Sequence, residues 1–456
     1  MTADARGYMG MRDRSCLPAL VLVTALVGCG GASSPGSAPL VPLPSPPNGA
    51  YVTHIVILVQ ENRTFDNFFA TFPGADGTTV GKTHNGTRHL RKSNLFSSIN
   101  PNNGYAYWTQ DCNRGNSGRC KMNGFDTVRI GTTPGTYVYQ YVDPSQIKPY
   151  WDMAKQYVLS DHFFQTQGSG SFTAHQDLIR GATDLNSSVS LIDSPTQTPW
   201  GCDAPPGTVT SLITSSNQYE RNGGPFPCLS YRTLRDLLDA ANVSWRYYSP
   251  TVGQNFGGNV WDAFDAIKAV RYGPEWATNQ ASPETKVFTD VERGTLPGVS
   301  WVIPDFDNSD HAGKGADKGP SWVAQVVNAI GESPAWNTTA ILILWDDWGG
   351  WYDHVAPPAR RRDGGPGFRV PLIVLSPFAR AGYVSHAQYE FGSVVRFVED
   401  NWNLGSLGTT DVTSSDFVKD FFDFSQKPRK FVPIESPYSR SYFLRERPSN
   451  KPVDDE

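Results

Sequence analysis

The stretch Thr53–Phe69, THIVILVQENRTFDNFF, decides the fold. Its run Ile55–Val59 is apolar and mostly β-branched, which suits a strand buried on both faces of a parallel sheet. The run stops at Gln60-Glu61-Asn62-Arg63. Polar residues at the carboxyl end of a buried strand stand where an open α/β sheet carries its chemistry. They also suit an ordinary polar turn, and spacing alone leaves both readings open.

Working outward, further apolar strands are expected at Val243–Tyr248, Val299–Pro304, Ala340–Leu344 and Val370–Leu375. Amphipathic helical patterns accompany them: Leu234, Leu237 and Leu238 in one, and Val394, Val395, Phe397 and Val398 in Gly392–Asn401. A chain of 456 residues can bury a large core as one big α/β domain or two smaller ones. Plentiful Gly and Pro and 12% aromatics fit a loop-rich enzyme better than a helical bundle. The net charge of −5 gives no electrostatic case for nucleic acid as a partner. Thr71–Gly135 has few apolar runs and is expected to be an irregular excursion. Residues 406–456 read as a tail packed on the domain.

The N-terminus reads as a targeting segment. Arg12 and Arg14 precede the apolar run Leu17–Val27, which is too short to span a bilayer. Leu26-Val27-Gly28-Cys29 resembles the lipobox of bacterial lipoproteins. That resemblance implies a signal peptide over residues 1–28, lipidation of Cys29, and an exported protein held at a membrane by acyl chains and facing the periplasm or exterior. Residues 29–50, rich in Ser, Pro and Gly, read as a disordered tether. Beyond the signal, Cys112, Cys120, Cys202 and Cys228 remain. Of three possible pairings, Cys112–Cys120 with Cys202–Cys228 is expected, because each pair brackets a Gly/Asn-rich loop. No CxxC pair points to zinc.

Three further stretches carry residues with chemical potential. Gly168-Ser169-Gly170 is an open loop leading into Ser171-Phe172-Thr173-Ala174-His175 and a helical pattern. A Ser at a helix start is either a cap for a backbone N–H or a nucleophile facing a helix N-terminus that favours phosphate. Asp305, Asp307, Asp310 and His311 follow the strand at Val299–Pro304, as a site or as a solvated loop. Asp346-Asp347 follow the apolar strand at Ala340–Leu344. Adjacent carboxylates are costly unless a cation neutralises them. Side chains of neighbouring strand residues alternate faces, so both reach one ion only if the strand has already turned, and Gly349-Gly350 supplies a turn.

QENRTFDNFF resembles the opening motif of the bacterial phosphoesterase family, which contains phospholipases C and a group of acid phosphatases. The later stretches match in order, so the resemblance spans roughly residues 50–405. It implies an alkaline-phosphatase-like three-layer α/β sandwich, with a mostly parallel central sheet flanked by helices and residues 51–405 as the catalytic domain. By the same resemblance, Glu61, Asp346 and Asp347 would hold one divalent metal ion, and Asn62 and His311 would contact the phosphate. Ser171 would be the nucleophile, with Ser169 and Thr173 as neighbours of the same type. His311 and His354 would be catalytic. His175 and His386 are each either structural or catalytic. Two departures from the family pattern stand out: Ala312 where Pro is usual, and Trp348 where His is common.

The activity implied is hydrolysis of a phospholipid or a small phosphate ester, as a phospholipase C acting through a phosphoserine or as an acid phosphatase on monoesters. A non-catalytic surface binding protein has no reason to keep both a nucleophile and its metal ligands. A serine esterase would need a G-x-S-x-G elbow, which Gly168–Phe172 does not match.

Overall fold

The computed structural model describes residues 50–251, 258–313, 317–359, 361 and 363–449. The signal segment, Cys29 and the tether up to residue 49 lie outside the described residues. No helix among the described residues is long and apolar enough to cross a membrane.

The core is an eight-stranded sheet. Its strands are β1 (His54–Gln60), β2 (Val158–Ser160), β3 (Trp245–Tyr248), β4 (Gln280–Ala281), β5 (Val299–Val302), β6 (Thr339–Trp345), β7 (Leu372–Leu375) and β8 (Tyr383–Ser385). Their spatial order is β4-β3-β5-β1-β6-β7-β2-β8. β1 lies between β5 and β6, parallel to both. β7 is the reversed strand, antiparallel to β6 and to β2, and the remaining pairings are parallel. All seven residues of β6 are buried, as expected of a strand covered on both faces.

Four helices cover this sheet: α1 (Lys148–Gln156), α2 (Ser171–Arg180), α3 (Gly319–Gly331) and α4 (Phe391–Trp402). The register shows that they lie on opposite faces. Ile57 stands opposite Trp301 and Leu342, so these three side chains share one face, and Trp345 projects from the other. Trp301 donates its indole N–H to Leu178 O of α2 at 3.3 Å, and α2 packs on α4. Trp345 meets the ring of Tyr150 in α1 edge-on at 4.9 Å, and α1 packs on α3. The result is helix, sheet, helix, with the mostly parallel sheet in the middle.

The excursion at Thr71–Gly135 is more ordered than its composition suggests. It contains a hairpin, Val80–Thr83 with Gly86–His89, and a helix at Tyr105–Cys112. Disulfides join Cys112 to Cys120 and Cys202 to Cys228. Beyond Gly405 the chain runs back over the domain. Ile434 exchanges two hydrogen bonds with the Asn328 side chain, and Phe443 packs edge-on to Trp322 at 5.5 Å.

Candidate active site

The site forms where β1 and β6 end side by side. Gln60 stands opposite Trp345, and the pairing continues past the strands: Asp346 N donates to Gln60 O at 2.9 Å. Asn62 N then donates to Asp346 Oδ1 at 2.9 Å. Asn62 adopts a left-handed conformation, φ 60°, which asparagine accepts more readily than other non-glycine residues. The turn after Asp347 closes against it. Gly349 has φ 57°, and a Cβ there would sit 2.1 Å from Asn62 O. Glycine is therefore required at 349 for the two strand ends to meet.

Ser171 arrives from the third direction, as the first residue of α2. Gly170 occupies the capping position, so the Ser171 hydroxyl does not cap the helix. It lies 3.0 Å from Asp347 Oδ2, 3.2 Å from Asn62 Oδ1 and 3.4 Å from Glu61 Oε2. The neighbouring hydroxyls are engaged elsewhere: Ser169 with Asp193, and Thr173 with Gly170 O. Asp347 is oriented by Asn103 Nδ2 at 3.0 Å and Gly349 N at 2.7 Å, both on Oδ1, which turns Oδ2 toward Ser171.

His311 enters through Asn62. Its Nδ1 donates to Ala312 O at 2.6 Å, since a carbonyl can only accept. Nε2 is thereby left to pair with the Asn62 amide Nδ2 at 2.9 Å. Phe306 and Trp261 pack on its ring. The aspartates of the same loop build the loop itself. Asp310 accepts from Tyr150 OH and Trp345 Nε1, and burial pushes its carboxyl up to about 6. Asp305 caps the turn at Phe306–Asn308.

One residue of the site was left ambiguous by sequence. His175 lies four residues after Ser171, on the same face of α2. Its Nε2 is 3.1 Å from Glu61 Oε1 and 3.8 Å from Asp346 Oδ2. The i, i+4 spacing was the available signal. Donor atoms of Glu61, His175 and Asp346 lie within 4.8 Å of one another, and Glu61, Asp346 and Asp347 are all 0% exposed. Buried carboxylates at this spacing repel unless positive charge lies among them. Carboxylate oxygens, an amide oxygen, a hydroxyl and one imidazole form a donor set that suits a divalent cation.

His354 lies in a second cluster of acidic groups. Its Nδ1 pairs with Asp66 Oδ2 at 2.7 Å and its Nε2 with Asp76 Oδ1 at 3.2 Å. The donors of Asp66, Asp353 and His354 also cluster. Arg369, fully buried, already neutralises them, with Nε 2.9 Å from Asp353 Oδ1 and Nη2 3.4 Å from Asp66 Oδ1. His386 is likewise engaged, by Asp161 at 2.7 Å. Trp348 brings no imidazole; it is buried and donates to Asn103 O at 3.1 Å.

The sequence model of the Phosphoesterase family matches residues 52–405, a span that holds every side chain of this site. The chain belongs to that family. A non-hemolytic phospholipase C of Pseudomonas aeruginosa is 28% identical over 406 residues, 77% of this chain and 54% of that protein. This family member thus spans about half the length of that relative. Phospholipase C B of Mycobacterium tuberculosis is 25% identical over 449 residues, 86% of this chain and 81% of that one. Among solved structures, a Vibrio parahaemolyticus protein in the alkaline phosphatase superfamily is similar with a TM-score of 0.37 and 10% identity, over 80% of this chain and 72% of that one.

The His354 cluster generates a pH prediction. Burial pulls the His354 pKa down, but the hydrogen bond to Asp66 and the charges of Asp66 and Asp353 outweigh it, so the value is raised above 6.5. A raised folded-state pKa stabilises fully below the unfolded value and loses that contribution as pH rises through the folded one. Thermal unfolding of wild type and His354→Gln between pH 5 and 9 is therefore expected to show a wild-type advantage that is largest below about pH 6.5 and shrinks above it. A constant or growing advantage would mean that His354 is neutral in the fold.

Proposed function

We propose that this chain is a metal-dependent hydrolase of phosphate esters, of the phospholipase C type, that works through a phosphoserine. The contact of Ser171 Oγ with Asp347, Asn62 and Glu61 at 3.0–3.4 Å carries the reading. It is supported by the family match and by relatives that are phospholipases C.

Glu61, Asp346 and Asp347 would hold one divalent ion, with the His175 imidazole clustered beside Glu61 and Asp346 as a further donor. When bound, the ion supplies positive charge that lowers the pKa of the Ser171 hydroxyl and balances the phosphoryl oxygens. Asp347 Oδ2 accepts the hydroxyl proton, and Ser171 Oγ attacks phosphorus in line. The bond from phosphorus to the alcohol oxygen breaks as the Ser171–phosphorus bond forms. Asn62 Nδ2 would donate to a non-bridging oxygen, and His311, carrying a second proton taken from solvent on Nε2, would give that proton to the leaving oxygen. Water then cleaves the phosphoserine, passing one proton to His311 Nε2 while Asp347 returns its proton to Ser171 Oγ, and the phosphate leaves with whatever group it still carries.

A phosphocholine diester and a simple phosphomonoester, each with and without chelator, test the reading on wild type and Ser171→Ala. Chelator-sensitive diester cleavage that falls at least about a thousandfold in Ser171→Ala is expected. Monoester-only activity would move the chain to the acid phosphatases, and near-normal turnover by Ser171→Ala would overturn the nucleophile.

We further propose export and anchoring through a lipid on Cys29. The lipobox-like Leu26–Cys29 and the two disulfides support this placement. Cell fractionation is expected to find wild type with membranes and Cys29→Ser released from them; equal membrane association of the two would contradict the anchor.

A further inference from the structure

The imidazole of His175 is engaged at both nitrogens. Nε2 faces Glu61 Oε1 at 3.1 Å and Asp346 Oδ2 at 3.8 Å, and Nδ1 lies 3.3 Å from the hydroxyl of Tyr247. Tyr247 stands in β3, opposite Trp301 of β5, so both side chains leave the sheet on the face that α2 covers. The Tyr247 ring is 1% exposed. It stacks on Trp301 at 6.2 Å and meets Phe264 edge-on at 5.4 Å. Those contacts fix where its hydroxyl sits.

The partners of that hydroxyl decide which nitrogen of His175 carries hydrogen. The phenol has one proton to give. It goes to Trp261 O at 2.8 Å, since a carbonyl can only accept. Ala263 N donates to the same phenol oxygen at 3.3 Å. Toward His175 the phenol therefore offers a lone pair, and Nδ1 is the donor. In the neutral ring Nε2 then carries a lone pair, aimed at two buried carboxylates that also only accept. Acceptors that face one another at this range call for positive charge between them. An imidazole fixed by a hydrogen bond at one nitrogen, with the other turned into a carboxylate cluster, is set as a metal ligand.

We infer that Tyr247 is a positioning residue of the metal centre: it holds His175 in the Nδ1–H tautomer, so that His175 Nε2 binds the divalent ion alongside Glu61 and Asp346. The assignment rests on the metal-dependent reading above and adds a ligand and the residue that sets it. A neutral imidazole contributes a donor without adding to the negative charge of Glu61, Asp346 and Asp347. The same phenol also braces the phosphate side, because Trp261, whose carbonyl it holds, packs its ring on His311 at 5.9 Å.

The full chain loaded with Mn²⁺ tests the assignment, by pulsed electron paramagnetic resonance and by competition with a chelator. Wild type is expected to show coupling between Mn²⁺ and one imidazole nitrogen, absent in His175→Gln. Tyr247→Phe, which removes only the hydroxyl, should weaken Mn²⁺ binding about tenfold. In a His175→Ala background the same change should have no further effect on Mn²⁺ affinity, whereas a merely structural role would carry over. Tyr248→Phe is the control: its hydroxyl donates to Asp290, and Mn²⁺ affinity should stay at the wild-type value. Bound Mn²⁺ without nitrogen coupling would overturn His175 as a ligand. Unchanged affinity in Tyr247→Phe, or an equal loss in the His175→Ala background, would overturn the role of Tyr247. Each of these results leaves the metal reading standing. Nitrogen-coupled Mn²⁺ with no hydrolysis of any phosphate ester would keep the ligand and remove the hydrolase reading. A wild type that binds no Mn²⁺ would overturn the ligand and the metal reading together.

Discussion

The register between His54–Gln60 and Thr339–Trp345 is the constraint on which the site depends. These two parallel strands set Gln60 opposite Trp345. Each then breaks off into two polar residues, and the backbone bond from Asp346 to Gln60 keeps the broken ends aligned. A slip of one residue would send each of these side chains to the opposite face. The register is secured by burial: both strands are almost wholly covered, with one helical layer packed on Trp345 and the other on Trp301 of the adjoining strand Val299–Val302, on opposite faces. Packing of large rings thus positions carboxylates that, brought together alone, would repel.

The surroundings over-determine the local geometry. Asn62 stays left-handed because Asp346 accepts its N–H and because Gly349 leaves room for its carbonyl. In that pose the Asn62 amide connects Ser171 to His311, with its oxygen toward the hydroxyl and its nitrogen toward the imidazole. Asp347 is turned by Asn103, which stands just before the helix Tyr105–Cys112 in the long excursion after the first strand. That excursion therefore serves the site as well as the surface, since it orients a carboxylate.

Much of this was legible in the sequence. The strands at Ile55–Val59 and Ala340–Leu344 announce themselves by uninterrupted apolar runs, and their polar ends mark where the site lies. The Gly349-Gly350 turn was readable as the device that frees Asp347 from strand alternation. The reversal of Leu372–Leu375 was not, because an apolar run carries no direction. The pairing of His354 with Asp66, Asp76 and Arg369 was not readable, because it depends on chain segments far apart in sequence. His175 was readable as neighbour to Ser171 through its spacing, but its contact with Glu61 depends on how α2 docks.

We propose that Glu61, Asp346 and Asp347 hold a divalent cation beside Ser171. Metal analysis of the purified full chain, after dialysis against a divalent ion and then metal-free buffer, tests it most directly. One tightly held equivalent is predicted for wild type, lost in Asp346→Asn with the fold intact by circular dichroism. Wild type that retains no ion, and unfolds at the same temperature with or without chelator, would contradict the account.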